Sequence, residues 1–365
     1  MSDIIDVAVI GAGVAGLTCS QILQQAGYQV LVLEKSRGVG GRLATRRAHE
    51  TRIDHGTCYL SPKDELFKAF IAHLLERDIV QCWTDQIFAV ASDGSFRTVG
   101  ERSPRYVAAD GMSAIAKALT PGLTIHFNQR VVRLELASRG VWQLIVEVPD
   151  ETGRSTQSRL EAKAILITTP APQAVDLLAP LESRPIAPSV LTSLRTVEFS
   201  PCITVMAGYE NVELGAHPLA QMKAIAPVHP AISWIGLDSS KRRAPTIPAI
   251  VVQSTASFAQ THPDTPALEA VGQTLLDFAA ALTEAWLAAP TWKQVHRWRY
   301  AIATHPLPSK YLIANTEVPL LCAGDWCGGN RVESAFLSGL EAADGLNQLM
   351  QQRELPPLKF WQAMP

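Results

Sequence analysis

No run of apolar residues in the 365-residue sequence approaches the roughly 18–20 that a membrane helix needs. Its opening, MSDIID, also lacks the basic stretch of a secretory leader. No membrane partner is therefore expected. The six cysteines (Cys19, Cys58, Cys82, Cys202, Cys322, Cys327) include no C-x-x-C pair. This argues against a disulfide framework and against a zinc or other metal site, and it suits a reducing cytoplasm. Cys322 and Cys327 are read as structural. Charge of one sign is missing too, since 32 basic residues face 34 acidic ones. Without a basic field the chain has little to offer nucleic acid, and a small molecule is the expected partner. No internal repeat or low-complexity segment is visible. Apolar residues are plentiful, at 47%, enough for a core in each of the two domains that this length suggests.

The first chemistry-bearing pattern lies at the start. Ile4–Ile10 is a short β-branched run suited to a buried parallel strand. It leads into Gly11-Ala12-Gly13-Val14-Ala15-Gly16, a G-x-G-x-x-G, and then into an amphipathic stretch, Leu17–Gln25, closed by Gly27. A second strand, Gln29–Leu33, ends at Glu34. Gly11 permits the tight turn, Gly13 lets the backbone approach a pyrophosphate, and Gly16 lets helix and strand pack closely. Val14 and Ala15 open the helix whose free N–H groups face the anion. Glu34 stands about 20 positions past Gly11, where a carboxylate accepts from ribose hydroxyls and disfavours a 2′-phosphate.

Lys35 follows, and then Ser36-Arg37-Gly38-Val39-Gly40-Gly41-Arg42, a second glycine loop closed by arginine. Arg42 can reach a pyrophosphate, with Arg37 and Gly41 beside it. This loop is absent from ordinary NAD-dependent dehydrogenases and resembles that of FAD proteins of the glutathione-reductase and amine-oxidase superfamily. A strand over Pro319–Ala323, then Gly324-Asp325-Trp326 and a helix-like stretch from about Arg331 to Met350, resembles their third cofactor segment. The resemblance gives Asp325 a ribityl contact, sets the backbone of Val332 and Glu333 near the isoalloxazine at a helix N-terminus, and adds Arg331 to the cofactor-binding residues. A middle segment completes the set. Gly111 to Leu119 reads as a helix and Leu123–Phe127, Val131–Leu136, Trp142–Val148 and Ala164–Thr169 as strands; the resemblance puts the backbone of Val131 or Val132 at the adenine and Thr169 beside the cofactor.

With these pieces in place the chain resembles the bacterial branch of the renalase-type flavoproteins. The likeness is densest at Gly11–Arg42, at Asp54-His55-Gly56 to Tyr59, at Arg105–Leu119, at Thr168–Gln173, at His296–Ala301 and at Gly324–Ala343. It implies an α/β, p-hydroxybenzoate-hydroxylase-like fold: a Rossmann-type FAD domain (1–60, 104–172 and 296–350) carrying an inserted substrate domain on an antiparallel sheet (61–103 and 173–295). It implies non-covalent FAD, with Gly56 among its contacts. The implied reaction is oxidation of the 2- and 6-dihydro isomers of NAD(P), by hydride transfer to flavin N5, with O2 then giving NAD(P)+ and H2O2. The chain departs from the family pattern at Cys58, where glutamine is usual, and at Gln253, where relatives often carry histidine. Gln253 cannot become an imidazolium, so no acid–base role is carried over to it.

Such chemistry asks the protein mainly to hold a flat ring and exclude water. Tyr59, Trp234, Trp298 and Tyr300 are the candidate flat walls, with Gln253 as a polar contact to a carboxamide; His296 either bonds the carboxamide or sits satisfied in the domain interface. Lys241-Arg242-Arg243 is either a solvated face or a contact for substrate phosphates. Between 181 and 295 the sequence predicts strands at Ser200–Ala207 and Ala249–Ser257 and a helix over Ala267–Ala288, with proline-marked loops between. An amine oxidase or desaturase on the same scaffold is the alternative enzyme, and a non-catalytic FAD-binding protein the alternative from another class. The oligomeric state is not legible.

Overall fold

The computed structural model describes residues 4–90, 95–149, 155–215, 217–245 and 247–364. Strand β1 (Ile5–Ile10) is buried along its length and feeds α1 (Val14–Gln25) and β2 (Val30–Leu33). A hairpin of β3 (Thr45–Ala48) and β4 (Thr51–Asp54) precedes α2 (Glu65–Glu76). Strands β5 (Val80–Thr84) and β8 (Arg105–Ala108) pair with each other around the small hairpin β6 (Phe88–Val90) and β7 (Phe96–Thr98). Helix α3 (Ser113–Lys117) then leads to β9 (Thr124–His126), β10 (Arg130–Ala137), β11 (Val141–Pro149) and the long β12 (Ser155–Ile167). After α4 (Ala171–Leu178) and α5 (Pro188–Arg195) come β13 (Glu198–Gly208), α6 (Pro218–Met222), β14 (Ala224–Ile225), β15 (Ile232–Leu237) and β16 (Ala249–Ser254). The chain closes with α7 (Ala256–Gln260), α8 (Leu268–Leu282), β17 (Trp292–His305), β18 (Leu312–Ile313), β19 (Leu320–Cys322) and α9 (Val332–Leu349).

Two main sheets result. In the first, β19, β12, β1, β2 and β9 run parallel, while β10 and β11 fold back antiparallel on the first half of β12. β1 lies between β12 and β2, so the crevice beyond its carboxyl end is the topological switch at which α/β sheets bind ligands. The second sheet has the order β17-β13-β16-β15-β14-β6-β7. Strand alternation divides its two faces. Ile203, Val205, Ile250, Val252 and Ile235 share a core with Leu275 and Leu276 of α8. Met206, Val251 and Trp234 on the opposite face join the core that also contains Ala12, Val14 and Leu17 of the glycine loop and α1.

Several expected boundaries move for local reasons. The strand expected over 249–257 stops at Ser254 because Thr255 caps α7, its Oγ1 accepting from the Phe258 N–H at 3.2 Å. The helix expected over 267–288 ends at Leu282, and a separate short turn occupies Ala285–Ala288. The strand at 164–169 is the buried end of β12, whose first half carries the polar residues of an antiparallel pair. The division drawn at 296 falls inside β17, which pairs with β13 from Trp292 to His305 and belongs to the second sheet throughout.

The largest correction concerns Lys241 and Arg242, which neither face solvent nor await phosphate. Both are buried in a cluster of two cations and two anions. Lys241 Nζ lies 2.7 Å from Asp238 Oδ1 and 3.4 Å from Asp54 Oδ2, while Arg242 Nη2 lies 2.6 Å from Asp238 Oδ2 and 2.9 Å from Asp54 Oδ2. Arg242 also donates to the carbonyls of Arg52 and Ala108. Arg243 alone is exposed, paired with Asp78. The cluster joins the end of β4 to the turn after β15, so it ties the glycine-loop half to the second sheet. Lys241→Met should destabilise the protein by about 3–5 kcal/mol, because it leaves two buried carboxylates with one cation. Chemical denaturation checks this, and a loss below about 1 kcal/mol would show that the cluster ties nothing together.

Candidate functional site

At the carboxyl end of β1 the glycine loop turns into α1. A side chain at Gly16 would put its Cβ 2.2 Å from the Gly11 carbonyl, so helix and strand meet only because that residue is glycine. Gly13 opens onto space instead, with nothing within 4 Å of where a Cβ would stand. The first-turn N–H groups of α1, at Val14 and Ala15, have no carbonyl within the helix to bond and point to this space. Glu34 is buried and braces the loop from below: its Oε2 accepts from the Ala12 N–H (2.9 Å) and its Oε1 from the Ser36 N–H (2.8 Å). Each carboxylate oxygen keeps a second lone pair for a ribose hydroxyl. The Gln129 N–H donates to the Glu34 carbonyl at 2.9 Å, which brings Val131 at the head of β10 beside this acid.

The second glycine loop and the C-terminal segment meet across the same crevice. Arg42 Nη2 lies 2.6 Å from Asp325 Oδ1, and its guanidinium also sits over Phe199. Asp325 is placed by its neighbours: the Gly324 N–H donates to Ser338 Oγ at 2.9 Å, and buried Trp326 donates through Nε1 to the Thr169 carbonyl at 3.0 Å. The Thr169 hydroxyl is buried without a partner among the described residues. The N-terminus of α9 follows Arg331, whose N–H donates to Ser334 Oγ at 3.4 Å. The Glu333 side chain turns elsewhere, accepting from the N–H groups of Lys63 and Asp64, so Val332 and Glu333 offer the crevice their backbone. Lys35 and Arg37 stand exposed after β2, and no hydrogen bond or ion pair joins either to Arg42 or Asp325. An anionic dinucleotide fits this donor set: an open glycine cradle, spare acceptors on Glu34, a cation at Arg42 and an unmet hydroxyl at Thr169.

The second sheet supplies the facing wall. Cross-strand partners share a face, and register aligns Trp234 with Gln253, Gln253 with Thr204 and Thr204 with His296; Cys202 aligns with Trp298. The row meets the turn after β4 through two hydrogen bonds. Gln253 Nε2 donates to the Gly56 carbonyl (2.8 Å), and Trp298 Nε1 to the His55 carbonyl (2.8 Å). Gly56 is required there, since a Cβ would fall 2.1 Å from the Arg42 carbonyl. Tyr59 packs on Trp234 with ring centres 5.5 Å apart and carries Arg105 over its face. Trp298 lies against both His55 (5.4 Å) and His296 (4.4 Å). Tyr300 does not join this wall. It packs edge-on against Phe199, on the Arg42 side of the crevice.

Burial sets the electrostatics of the wall. It pushes the His55 imidazole down to about 3 from an ordinary 6.5, helped by His296 and by the Arg46 charge. His296 is lowered too, first by burial and then by Arg46. Both rings are therefore neutral at pH 7. Burial pushes the Cys58 thiol up to about 12, so the residue that replaces the family's usual glutamine is an inert thiol. His55, Arg46 and Thr168 carry weight that the sequence reading did not give them. Thr168 Oγ1 donates to the carbonyls of Ile10 and Gly11, bracing the glycine loop from β12. The strand-ending TTP was the available signal for it.

With the geometry in place, comparison with known proteins defines the class. Residues 81–347 match the family described as flavin containing amine oxidoreductase, and residues 9–74 match the NAD(P)-binding Rossmann-like domain. The chain belongs to the flavin containing amine oxidoreductase family. Its class is that of FAD-dependent oxidoreductases. An L-amino-acid oxidase of Siganus canaliculatus is 48% identical over 66 residues, 18% of this chain and 12% of that protein. One from Crotalus adamanteus is 40% identical over 65 residues, 18% of this chain and 13% of its own length. The chain thus spans only a small fraction of either relative. In fold it is similar to a putrescine oxidase solved with putrescine (TM-score 0.67, 14% identity, covering 94% of this chain and 99% of that one). A cyclohexylamine oxidase from Brevibacterium oxydans is similar too (TM-score 0.67, 13% identity, covering 96% and 100%).

Two outcomes follow from the site. Asp325→Ala and Glu34→Ala should each lower FAD retention, the first by freeing Arg42 and the second by loosening the loop and removing the ribose acceptors. Flavin content after purification measures this, and full occupancy in either variant would remove that residue from the site. Acid should also weaken the fold. In the unfolded chain His55 takes a proton near pH 6.5, whereas in the folded protein it resists protonation down to about 3. Stability is then complete above pH 6.5 and falls as pH drops through that window. His55→Asn should flatten the decline, and an unchanged slope would clear His55 of this role.

Proposed function

We propose that the protein oxidises the 2- and 6-dihydro isomers of NAD(P) to NAD(P)+, O2 taking up both electrons as H2O2. FAD, when bound, supplies the two-electron acceptor for this oxidation. Gly11, Gly13, Val14, Ala15, Gly16, Glu34, Gly41, Arg42, Gly56, Val131, Thr169, Asp325, Val332 and Glu333 are the residues we assign to holding it, with Lys35, Arg37 and Arg331 at its rim. Arg42 neutralises the pyrophosphate, and the amino end of α9 favours negative charge on the reduced ring system. The description of the whole as p-hydroxybenzoate-hydroxylase-like belongs to this reading, as does a setting in a reducing cytoplasm. The six cysteines are free, and among the described residues no helix is long and apolar enough to cross a membrane.

One observation carries the substrate class: the wall is flat, aromatic and neutral, and the charges near it that lack a partner of opposite sign are cations. Trp234, Trp298 and Tyr59 offer faces to a planar ring. Gln253 commits its amide N–H to the Gly56 carbonyl, so its oxygen is the acceptor for a carboxamide N–H. The two histidines contribute neutral polar edges. Asp54 and Asp238, the acids nearest this turn, are spent on Lys241 and Arg242. Arg46 and Arg105 bring positive charge, which repels an ammonium and attracts the phosphates of a dinucleotide. Amine oxidation is the second reading. The family and the fold likeness to putrescine and cyclohexylamine oxidases favour it, and Tyr59 and Trp234 are rings on which an alkyl amine can lie.

Visible absorbance of the anaerobic holoenzyme separates the two. The flavin band should bleach within seconds on adding 2- or 6-dihydro-NAD, and respond to neither ordinary NADH nor putrescine. Bleaching by amines alone would replace the first reading with the second.

A further inference from the structure

One face of the β3–β4 hairpin carries Arg46 and His55, and it meets the aromatic row through His55 alone. Its register pairs Thr45 with Asp54 and Arg46 with Ile53, and the His55 N–H continues the ladder by donating to the Ala44 carbonyl at 3.2 Å. Thr45 and Asp54 therefore point one way, toward the buried ion cluster, while Arg46 and His55 lie diagonally on the opposite face. His55 touches His296 edge-on at 5.0 Å, so Arg46 stands at the end of the substrate wall.

Three features of this corner are unsatisfied. Arg46 makes no ion pair or hydrogen bond among the described residues, and its Nε is buried. His55 is itself buried, and its Nδ1 has no partner. The two-residue turn that presents Arg46 consists of His49 (φ +46°) and Glu50 (φ +59°), left-handed conformations that such turns normally give to asparagine and glycine. The strained tip is held down by His49, stacked on Trp292 of β17 at 4.7 Å and 17°. A strained turn, a half-buried cation with no counter-charge and an orphaned ring nitrogen are all costs in the free protein. An anion seated between Arg46 and His55 relieves the last two.

We propose that Arg46 and His55 form the subsite for the phosphate or pyrophosphate of the substrate, with Arg46 as the charged donor and His55 Nδ1 as a neutral one. This rests on reading the substrate as a dinucleotide. It sets which tails the enzyme accepts: a nicotinamide ring is held by the wall, and its phosphate by the hairpin.

Calorimetric titration of the holoenzyme with inorganic pyrophosphate tests the subsite directly. Pyrophosphate should bind, Arg46→Gln should weaken it about tenfold or more, and Arg46→Lys should restore part of the loss. Flavin content should stay at the wild-type level in both variants. No binding to the wild type, or equal affinity in Arg46→Gln, overturns the subsite. Loss of flavin from both variants also overturns it, because the anion served would then be the cofactor's own. The substrate reading fails separately. If dihydronicotinamide isomers leave the flavin unbleached while pyrophosphate still depends on Arg46, the subsite stands and that reading falls. If the isomers are oxidised with the same KM by Arg46→Gln, the reading stands and the subsite falls.

Discussion

The four-charge cluster of Asp54, Asp238, Lys241 and Arg242 is the constraint from which the site takes its shape. Each carboxylate engages both cations, so no charge is left alone in a place where an unpaired one would be severely penalised. Asp54 ends β4 immediately before His55 and Gly56, and Asp238 follows β15, the strand of Trp234. Holding these two ends together sets the distance between the cofactor loop and the aromatic wall. The Asp54 carboxylate shows the balance. Burial alone would raise its pKa, but Lys241 and Arg242 outweigh burial and hold it below the usual carboxylate range. Trp83 lies over Lys241 and near Trp234, which carries the same constraint into the rings.

From that junction the division of labour follows. The first sheet presents backbone and fixed dipoles, suited to an anion and a long flat cofactor. The second presents side chains on one face of an antiparallel sheet, whose alternation turns Trp234, Gln253, Thr204 and His296 toward the loop and sends Ile203, Val205 and Val252 under α8. On the reading proposed above, specificity belongs to one sheet and cofactor retention to the other. They touch through the carbonyls of His55 and Gly56, which accept from Trp298 and Gln253.

The cofactor half was legible because its signals are local and ordered: strand, glycines, helix, strand, acid, and later strand and Gly-Asp. Gln253, Trp234, Trp298 and His296 were nominated through resemblance and chemistry, and register brings them onto one face. Tyr300 was not separable from Trp298 by sequence, because the bulge in the β13–β17 pairing that accompanies its turn toward Phe199 depends on the partner strand. Lys241 and Arg242 were misread for the same reason. A run of three basic residues looks solvated until Asp54, far off in sequence and in a different sheet, arrives beside it and beside Asp238, which stands only three residues before the run. Arg46 gave no signal at all, since an arginine in a hairpin is ordinary until its lack of partners is seen.

The cradle is made of residues far apart in the chain: Gly13 and Arg42 near its start, Asp325 and the amino end of α9 more than two hundred positions later. Helix α9 also lies directly on α1, where Gly339 comes so near the Ala15 carbonyl that a Cβ would stand 2.3 Å from it. On the proposed assignment of the cradle, the first glycine loop completes its grip on FAD only after the last cofactor segment has arrived. The intervening sheets have to form without help from FAD, and the flavin is captured only by chains that have already brought their ends together. Once captured it stabilises that closed arrangement alone, since the open chain has no site for it. Flavin loading is thus a readout of completed folding, and a yellow preparation is one in which the two ends have met.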